Sequence, residues 1–247
     1  MDFIVEYYFD FNLMGDEFSG ILDGFWVTVK LSVLGGVFAL LWGLILAVLR
    51  QLPGVALMPI RALVIAYIDI FRGIPLLLVL FLLSGFLSAA AFEGVIPEFI
   101  GQPSWLGQTD AFWWGVMALT ITYGAYMAEV YRAGIEAVPH GQMEAARSLG
   151  MSHGQGMRYV IVPQAVRTVI PPLLNDFIAL MKDTSLISVL GVVEVVRAGQ
   201  DVQSEFFNGS GLVLGAIFFL AVTIPLARLV DRLIAYQQRF QRQTGLA

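Results

Sequence analysis

The sequence predicts an all-α integral membrane protein, a five-span helical bundle. Three observations carry this. The 247 residues are 58% hydrophobic with a mean hydropathy of +0.78. Charged residues make up 13%, where a soluble domain carries about 25%. Uncharged runs of 17 or more residues recur along the chain, the length a helix needs to cross a bilayer. Segments of helical length, rather than short alternating strands, argue against a β-barrel. One membrane domain uses up the length. With no cysteine, disulfides and thiolate metal sites are excluded.

The elements follow in order. Residues 1–23 hold six acids and no Lys or Arg, the reverse of a signal peptide's basic start. They are expected to form an acidic, aromatic-rich extracytoplasmic lead, a solvated tail with its Tyr and Phe at headgroup level. The first span is 24–49. Its single charge, Lys30, lies about 9 Å from the start at 1.5 Å per residue and can snorkel to the interface. Gly35, Gly36 and Gly43 offer a flat face for close helix packing. A short basic turn, 50–61, contains Pro53, Gly54 and Pro59.

The second span is 62–87. Asp69 and Arg72 are three apart, so they can pair on one face, and Gly73 with Pro75 predicts a kink. An acidic loop, 88–110, leads to the third span, 111–131, with Glu129 near its end. The fourth span, 171–189, is broken by Pro171-Pro172 and carries Asn175, Asp176, Lys182 and Asp183. A mostly polar loop, 191–211, precedes the fifth span, 212–226. The basic tail 228–247 holds Arg228, Arg232, Arg239 and Arg242.

Cytoplasmic loops retain Lys and Arg. The segments 50–61, 132–167 and 228–242 hold ten of the fourteen basic residues, whereas 1–23, 88–110 and 191–211 hold only Arg197. Five spans put these two sets on opposite faces, with the N-terminus outside and the C-terminus inside. A four-span count without 171–189 would break the charge rule.

Between the third and fourth spans lies a polar island, 139–163, with Glu144, Arg147, Arg158 and both histidines, His140 and His153. A connection of this length is far beyond the usual 4–6 residues or so. Pro139 can open a helix, the residues from Gln142 to Leu149 tolerate or favour one, and Gly150 suits a left-handed C-terminal cap. Ser152 can cap a second short helix leading to Pro163. Met143, Ala146 and Leu149, at i, i+3 and i+6, give a small apolar face with Glu144 and Arg147 alongside. Ala145 and Ala146 let another surface come close.

No residue set looks catalytic. There is no phosphate-cradling G-x-x-x-x-G-K-[ST] loop, so an ATP-driven process would need a separate ATPase. The two histidines lack the ligand company of a metal site, and Ser185 beside Thr184 and Asp183 has no histidine nearby. No metal, cofactor or nucleic-acid partner is expected.

The island resembles a known family. Glu144-Ala145-Ala146, Gly150 and Val160-Ile161-Val162-Pro163 match the "EAA loop" of bacterial ABC importer permeases, with Val160 and Val162 standing where that pattern has Ile and Leu. Phe71-Arg72-Gly73-Ile74-Pro75, Tyr131-Arg132-Ala133-Gly134-Ile135 and the stretch from Leu180 through Lys182-Asp183-Thr184-Ser185 to Gly191 are similar to its polar amino-acid branch. The resemblance implies a permease domain over 24–227. Its coupling helix, about 140–149, would dock through Met143, Glu144, Ala145, Ala146, Arg147, Leu149 and Gly150 in a cleft of a cytosolic ATP-binding subunit, two copies per importer. It also implies a second permease copy or homologue, an extracytoplasmic solute-binding protein and an amino-acid substrate.

Each intramembrane charge opposes insertion by about 2.5–3.5 kcal/mol at the bilayer centre, so each needs a reason. Arg72, Glu129, Lys182 and Asp183 are candidates to line the solute path; the alternative is mutual neutralisation, Asp69 with Arg72 for example. Two rival readings are a stand-alone secondary transporter or channel and a non-transporting scaffold. The first predicts paired halves with matching broken helices, which this sequence lacks. The second does not need buried charges in several spans.

Overall fold

The computed structural model describes residues 2–52 and 54–244, with no side chain described at 2 or 238–244; Pro53 and the side chains of Arg239 and Arg242 lie outside the described residues. The helices are α1 (Asp2–Tyr8), α2 (Phe11–Asp16), α3 (Phe18–Arg50), α4 (Met58–Gly73), α5 (Leu76–Phe92), α6 (Glu98–Gly101), α7 (Asp110–Glu136), α8 (His140–Ser148), α9 (His153–Gly156), α10 (Val162–Asp183), α11 (Val195–Phe206) and α12 (Ser210–Thr244).

α3 and α7 form the central pair. Apolar surface gives little drive for association inside a lipid bilayer, so close approach at small residues carries the packing. A Cβ at Gly43 would come within 2.8 Å of the Gly124 carbonyl, and one at Gly36 within 2.8 Å of the Phe177 ring on α10. Around this seam Leu31, Phe112, Leu119, Met127, Leu180 and Ile187 build the main core. By length and hydropathy, α3 and residues Ser210–Gln237 of α12 each suffice to cross a membrane, and α4 with α5 does so as a bent pair. α7 and α10, with 27 and 22 residues, are long enough but more polar.

Four expectations are corrected. First, the bend expected at Gly73 and Pro75 forms but is much sharper than a kink: α4 and α5 meet at 112°. Ile74, which precedes a proline, is extended at φ −96°, ψ 132°, because the proline ring disfavours helical backbone before it. Second, Pro171-Pro172 does not break the fourth segment. α10 starts at Val162, nine residues earlier than expected, runs through both prolines, and passes into a 3-10 turn over Thr184–Leu190. Pro171 cannot donate to the carbonyl of Arg167 one turn back; the Gln237 side-chain amide of α12 donates to it instead. Third, the loop 191–211 contains α11. Glu194, fully buried, accepts from the backbone N–H groups of Val196 and Arg197 and from the Thr28 hydroxyl of α3.

Fourth, the N-terminal lead is not a solvated tail. α1 and α2 fold back on the α11–α12 turn. The Gly209 N–H donates to the Tyr7 carbonyl at 2.8 Å, the Asp10 N–H to Ser210 Oγ at 2.9 Å, and the Gln203 amide to the Tyr7 hydroxyl at 3.1 Å. Met14 and Ile21 are buried with Val195, Val202 and Leu214.

Candidate functional site

The island from Pro139 to Pro163 is an ordered elbow. α8 ends as expected at a left-handed Gly150, φ 83°. Ser152 then opens α9 with a full capping box: its hydroxyl accepts from the Gln155 N–H while the Gln155 side chain accepts from the Ser152 N–H. A π-helical turn, Met157–Ile161, joins α9 to α10 without a break. Motion of α8 is therefore tied to a helix that reaches deep into the bundle.

The apolar face predicted on α8 is split. Ala146 is only 3% exposed and Met143 is half-buried, packed with Val138, Ile161 and Ala165. Gly156 is the reason: its bare backbone admits the Met143 sulfur where a Cβ would lie 2.7 Å from it. Leu149 is 81% exposed, and Glu144, Ala145 and Arg147 are exposed beside it. The surface open to a partner is thus Glu144, Ala145, Arg147 and Leu149, while Met143 and Ala146 hold the elbow together.

A second site lies at the α4–α5 break. Where the chain turns, residues of the α4–α5 break, α7 and α10 surround a cavity of about 490 Å³. Arg72, Thr122, Tyr123, Tyr126, Asp176 and Asp183 line it. The Arg72 guanidinium sits 5.7 Å over the Tyr126 ring, and the Tyr126 hydroxyl donates to the Arg72 carbonyl at 3.2 Å. The Tyr123 hydroxyl donates to Asp183 Oδ2 at 2.8 Å. Among the described residues, two buried side-chain polar atoms have no partner, Thr122 Oγ1 and Asp176 Oδ2, and both residues line this cavity. A buried polar atom without a partner costs about 1–3 kcal/mol, so two in one cavity mark a place built to receive hydrogen bonds.

The four path candidates separate. Arg72 and Asp183 meet in the cavity. Lys182, the next residue along α10, is exposed and does not line it. Glu129 lies elsewhere, bridging Arg50 of α3 and Arg132 of α7, the latter at 2.7 Å. This cluster ties the ends of α3 and α7 together just before the elbow. The pairing of Asp69 with Arg72 does not form; both are exposed, and Arg72 turns to Tyr126. Sequence reasoning missed Thr122, Tyr123 and Tyr126 as site residues and left Asp176 out of the path candidates. The available signal was three polar-capable side chains at i, i+1 and i+4 inside an otherwise apolar span.

The comparisons with known proteins fall on the same picture. Residues 39–242 match the family described as "Binding-protein-dependent transport system inner membrane component". The chain is 38% identical over 222 residues to the probable glutamine ABC transporter permease protein GlnM of Bacillus subtilis (strain 168), covering 87% of this chain and 92% of that one. It is 32% identical over 230 residues to the glutamate/aspartate import permease protein GltK of Escherichia coli O157:H7, covering 92% and 97%. Its fold superposes with a TM-score of 0.77, at 32% identity and covering 93% and 98% of the two chains, on a solved amino acid ABC transporter described as "with histidines". The MetNI methionine ABC transporter shares the fold with a TM-score of 0.66, at 22% identity and covering 87% and 96%. The chain therefore belongs to the binding-protein-dependent transport system inner membrane component family: it is the multi-pass permease subunit of a bacterial ABC importer, seated in the inner membrane, with ATP hydrolysis left to a separate subunit.

Proposed function

We propose that this permease carries a polar amino acid and that the cavity at the α4–α5 break lies on its path. The observation that carries this is the pair of unpartnered buried atoms, Thr122 Oγ1 and Asp176 Oδ2, in a cavity that also presents one guanidinium and a second carboxylate. A zwitterion matches that set. Its carboxylate suits the planar fork of Arg72; its ammonium suits Asp176 and Asp183; Thr122 offers a hydroxyl. The names of the similar proteins, which point to glutamine, glutamate, aspartate and arginine, support the same class.

In this reading the chain crosses the membrane five times, the α4–α5 pair counting once, with its N-terminus outside and its C-terminus inside. The exposed edge of α8, with Glu144, Ala145, Arg147, Leu149 and the Gly150 turn, docks in a cleft of an ATP-binding subunit. Two such subunits act on two permease copies, this one and a second copy or a homologue, and a solute-binding protein delivers substrate from outside. ATP-driven closure moves the elbow as a rigid body, and α10 carries that motion to Asp176 and Asp183. Alternating access follows, because the wall that moves is also a wall of the cavity.

Uptake of radiolabelled amino acids by cells with and without the chain tests the reading. Loss of ATP-dependent uptake of one or a few polar amino acids on deletion, restored by wild type and not by Asp176→Asn, is the expected result. Full restoration by Asp176→Asn would remove the cavity from the path, and unchanged uptake on deletion would remove the substrate class.

A further inference from the structure

α12 is longer than a bilayer requires. Its 35 residues reach about 52 Å at 1.5 Å per residue, against a hydrocarbon core of about 30 Å. Two stripes run along it. One packs inward, with Val230 buried and Gln237 bonded to the Arg167 carbonyl of α10. The other faces out, with Ile217, Leu220 and Ile224 all exposed. Helical register at i, i+3, i+7 and i+11 carries that outer stripe on to Arg228, with Arg232 one turn further. Arg228 is exposed over 75% of its side chain, and Arg232 is exposed too. One helix face thus changes from aliphatic to guanidinium without a break, and exposed Tyr236 follows it. The one acid on this stretch, Asp231, pairs with Arg228 at 3.3 Å with both side chains largely exposed, an arrangement that holds weakly. Arg239 and Arg242 come next in the same helix.

We propose that this extension of α12 docks on anionic phospholipid headgroups of the inner leaflet. Arg228 and Arg232 take the lipid phosphates while Ile217, Leu220 and Ile224 remain among the acyl chains. Continuity selects lipid as the occupant: the basic patch prolongs an exposed aliphatic strip on a helix long and apolar enough to cross a membrane. Charge agrees, since a guanidinium presents a planar fork to phosphate and basic residues just beyond a spanning helix are drawn to an anionic leaflet. The inner stripe gives the contact a consequence. Through Gln237 it holds α10, the helix that continues from the elbow, so lipid fixes the frame against which the elbow moves. The inference rests on the cytosolic placement of the C-terminus proposed above.

The test uses the whole importer, with its ATP-binding subunits, purified in neutral detergent and titrated with a fluorescent phosphatidylglycerol. The expected result is saturable, salt-sensitive binding that weakens by about fivefold for each arginine removed, so that Arg228→Gln with Arg232→Gln binds about 25-fold more weakly, while the double lysine variant keeps most of the affinity. Unchanged basal ATPase activity in the glutamine variant shows that it is folded and assembled. Equal phosphatidylglycerol affinity in wild type and glutamine variant overturns the proposal. So does loss of the ATP-binding subunit from the variant at unchanged lipid affinity, which would make the patch a protein contact. Displacement by inorganic phosphate at the same concentration as lipid overturns it as well, by making this a free-anion site. The topology is read separately: Tyr236→Cys, in a chain with no native cysteine, should react with a membrane-impermeant maleimide from the cytosolic side, and reaction from outside only would sink the placement rather than the lipid contact.

Discussion

The elbow at 139–163 and the cavity at the α4–α5 break are opposites in how they treat their polar groups. The elbow satisfies itself. Its turns are closed by Gly150 and by the Ser152–Gln155 capping box, and its apolar residues Met143 and Ala146 are consumed by its own packing. The cavity is left unfinished, with Thr122 and Asp176 each presenting an atom that no side chain answers. The contrast fits the two kinds of occupant. A protein partner meets a rigid shape, so the elbow must be complete before the partner arrives. A solute must bind and then leave, so the cavity keeps its polar atoms uncommitted.

If the contrast is right, the largest effect belongs to the elbow. Proline at Gly150 cannot adopt φ 83°, because its ring holds φ near −65°. Gly150→Pro should abolish uptake while the permease stays in the membrane with its cavity intact; Glu144→Lys at the exposed edge should act in the same direction. Wild-type uptake in both, measured beside ATPase activity, would break the comparison.

The next effect belongs to the cavity. Asp176→Asn keeps the shape and removes the charge, and should weaken substrate affinity about tenfold or more, since charge-assisted hydrogen bonds contribute about 1.5–3 kcal/mol. ATPase assembly should be untouched, and equilibrium binding to the purified importer measures the loss. Gln237→Leu is smaller and concerns neither site. It withdraws the donor to the Arg167 carbonyl and should cost about 1 kcal/mol of stability, read as a lower midpoint of thermal unfolding in detergent. Smallest of all is Lys182→Ala. Lys182 is exposed and does not line the cavity, so uptake kinetics should match wild type; a tenfold loss would place it on the path and redraw the site.

The two regions also differ in how far they could be read without coordinates. The elbow is local. A proline, a run of helix formers, a glycine and a serine at short spacing specify it, and α8, the Gly150 turn and the α9 cap all form where those residues suggest. Only the direction of Met143 and Ala146 escaped, because it depends on Gly156, which matters only once α9 is folded beneath α8. The cavity is assembled from α4, α7 and α10, and no periodicity reports which intramembrane charges meet. Arg72 and Asp183 line one cavity, whereas Glu129, equally charged, is bridged by Arg50 from a different helix. The proline pair misled for the same reason: the carbonyl that Pro171 leaves free is taken up by Gln237, distant in sequence. At the N-terminus the acids suggested solvation, while Met14 and Ile21 were the residues that decided the packing.

The fastening of α1 and α2 to the start of α12 sets a limit on timing. Asp10 and Ser210 are 200 positions apart, so this clasp cannot shut until nearly the whole polypeptide has left the ribosome. A product that stops before Gly209 lacks both the N–H that the Tyr7 carbonyl accepts from and the hydroxyl that the Asp10 N–H donates to. A closed clasp thus reports that synthesis has reached at least the start of α12.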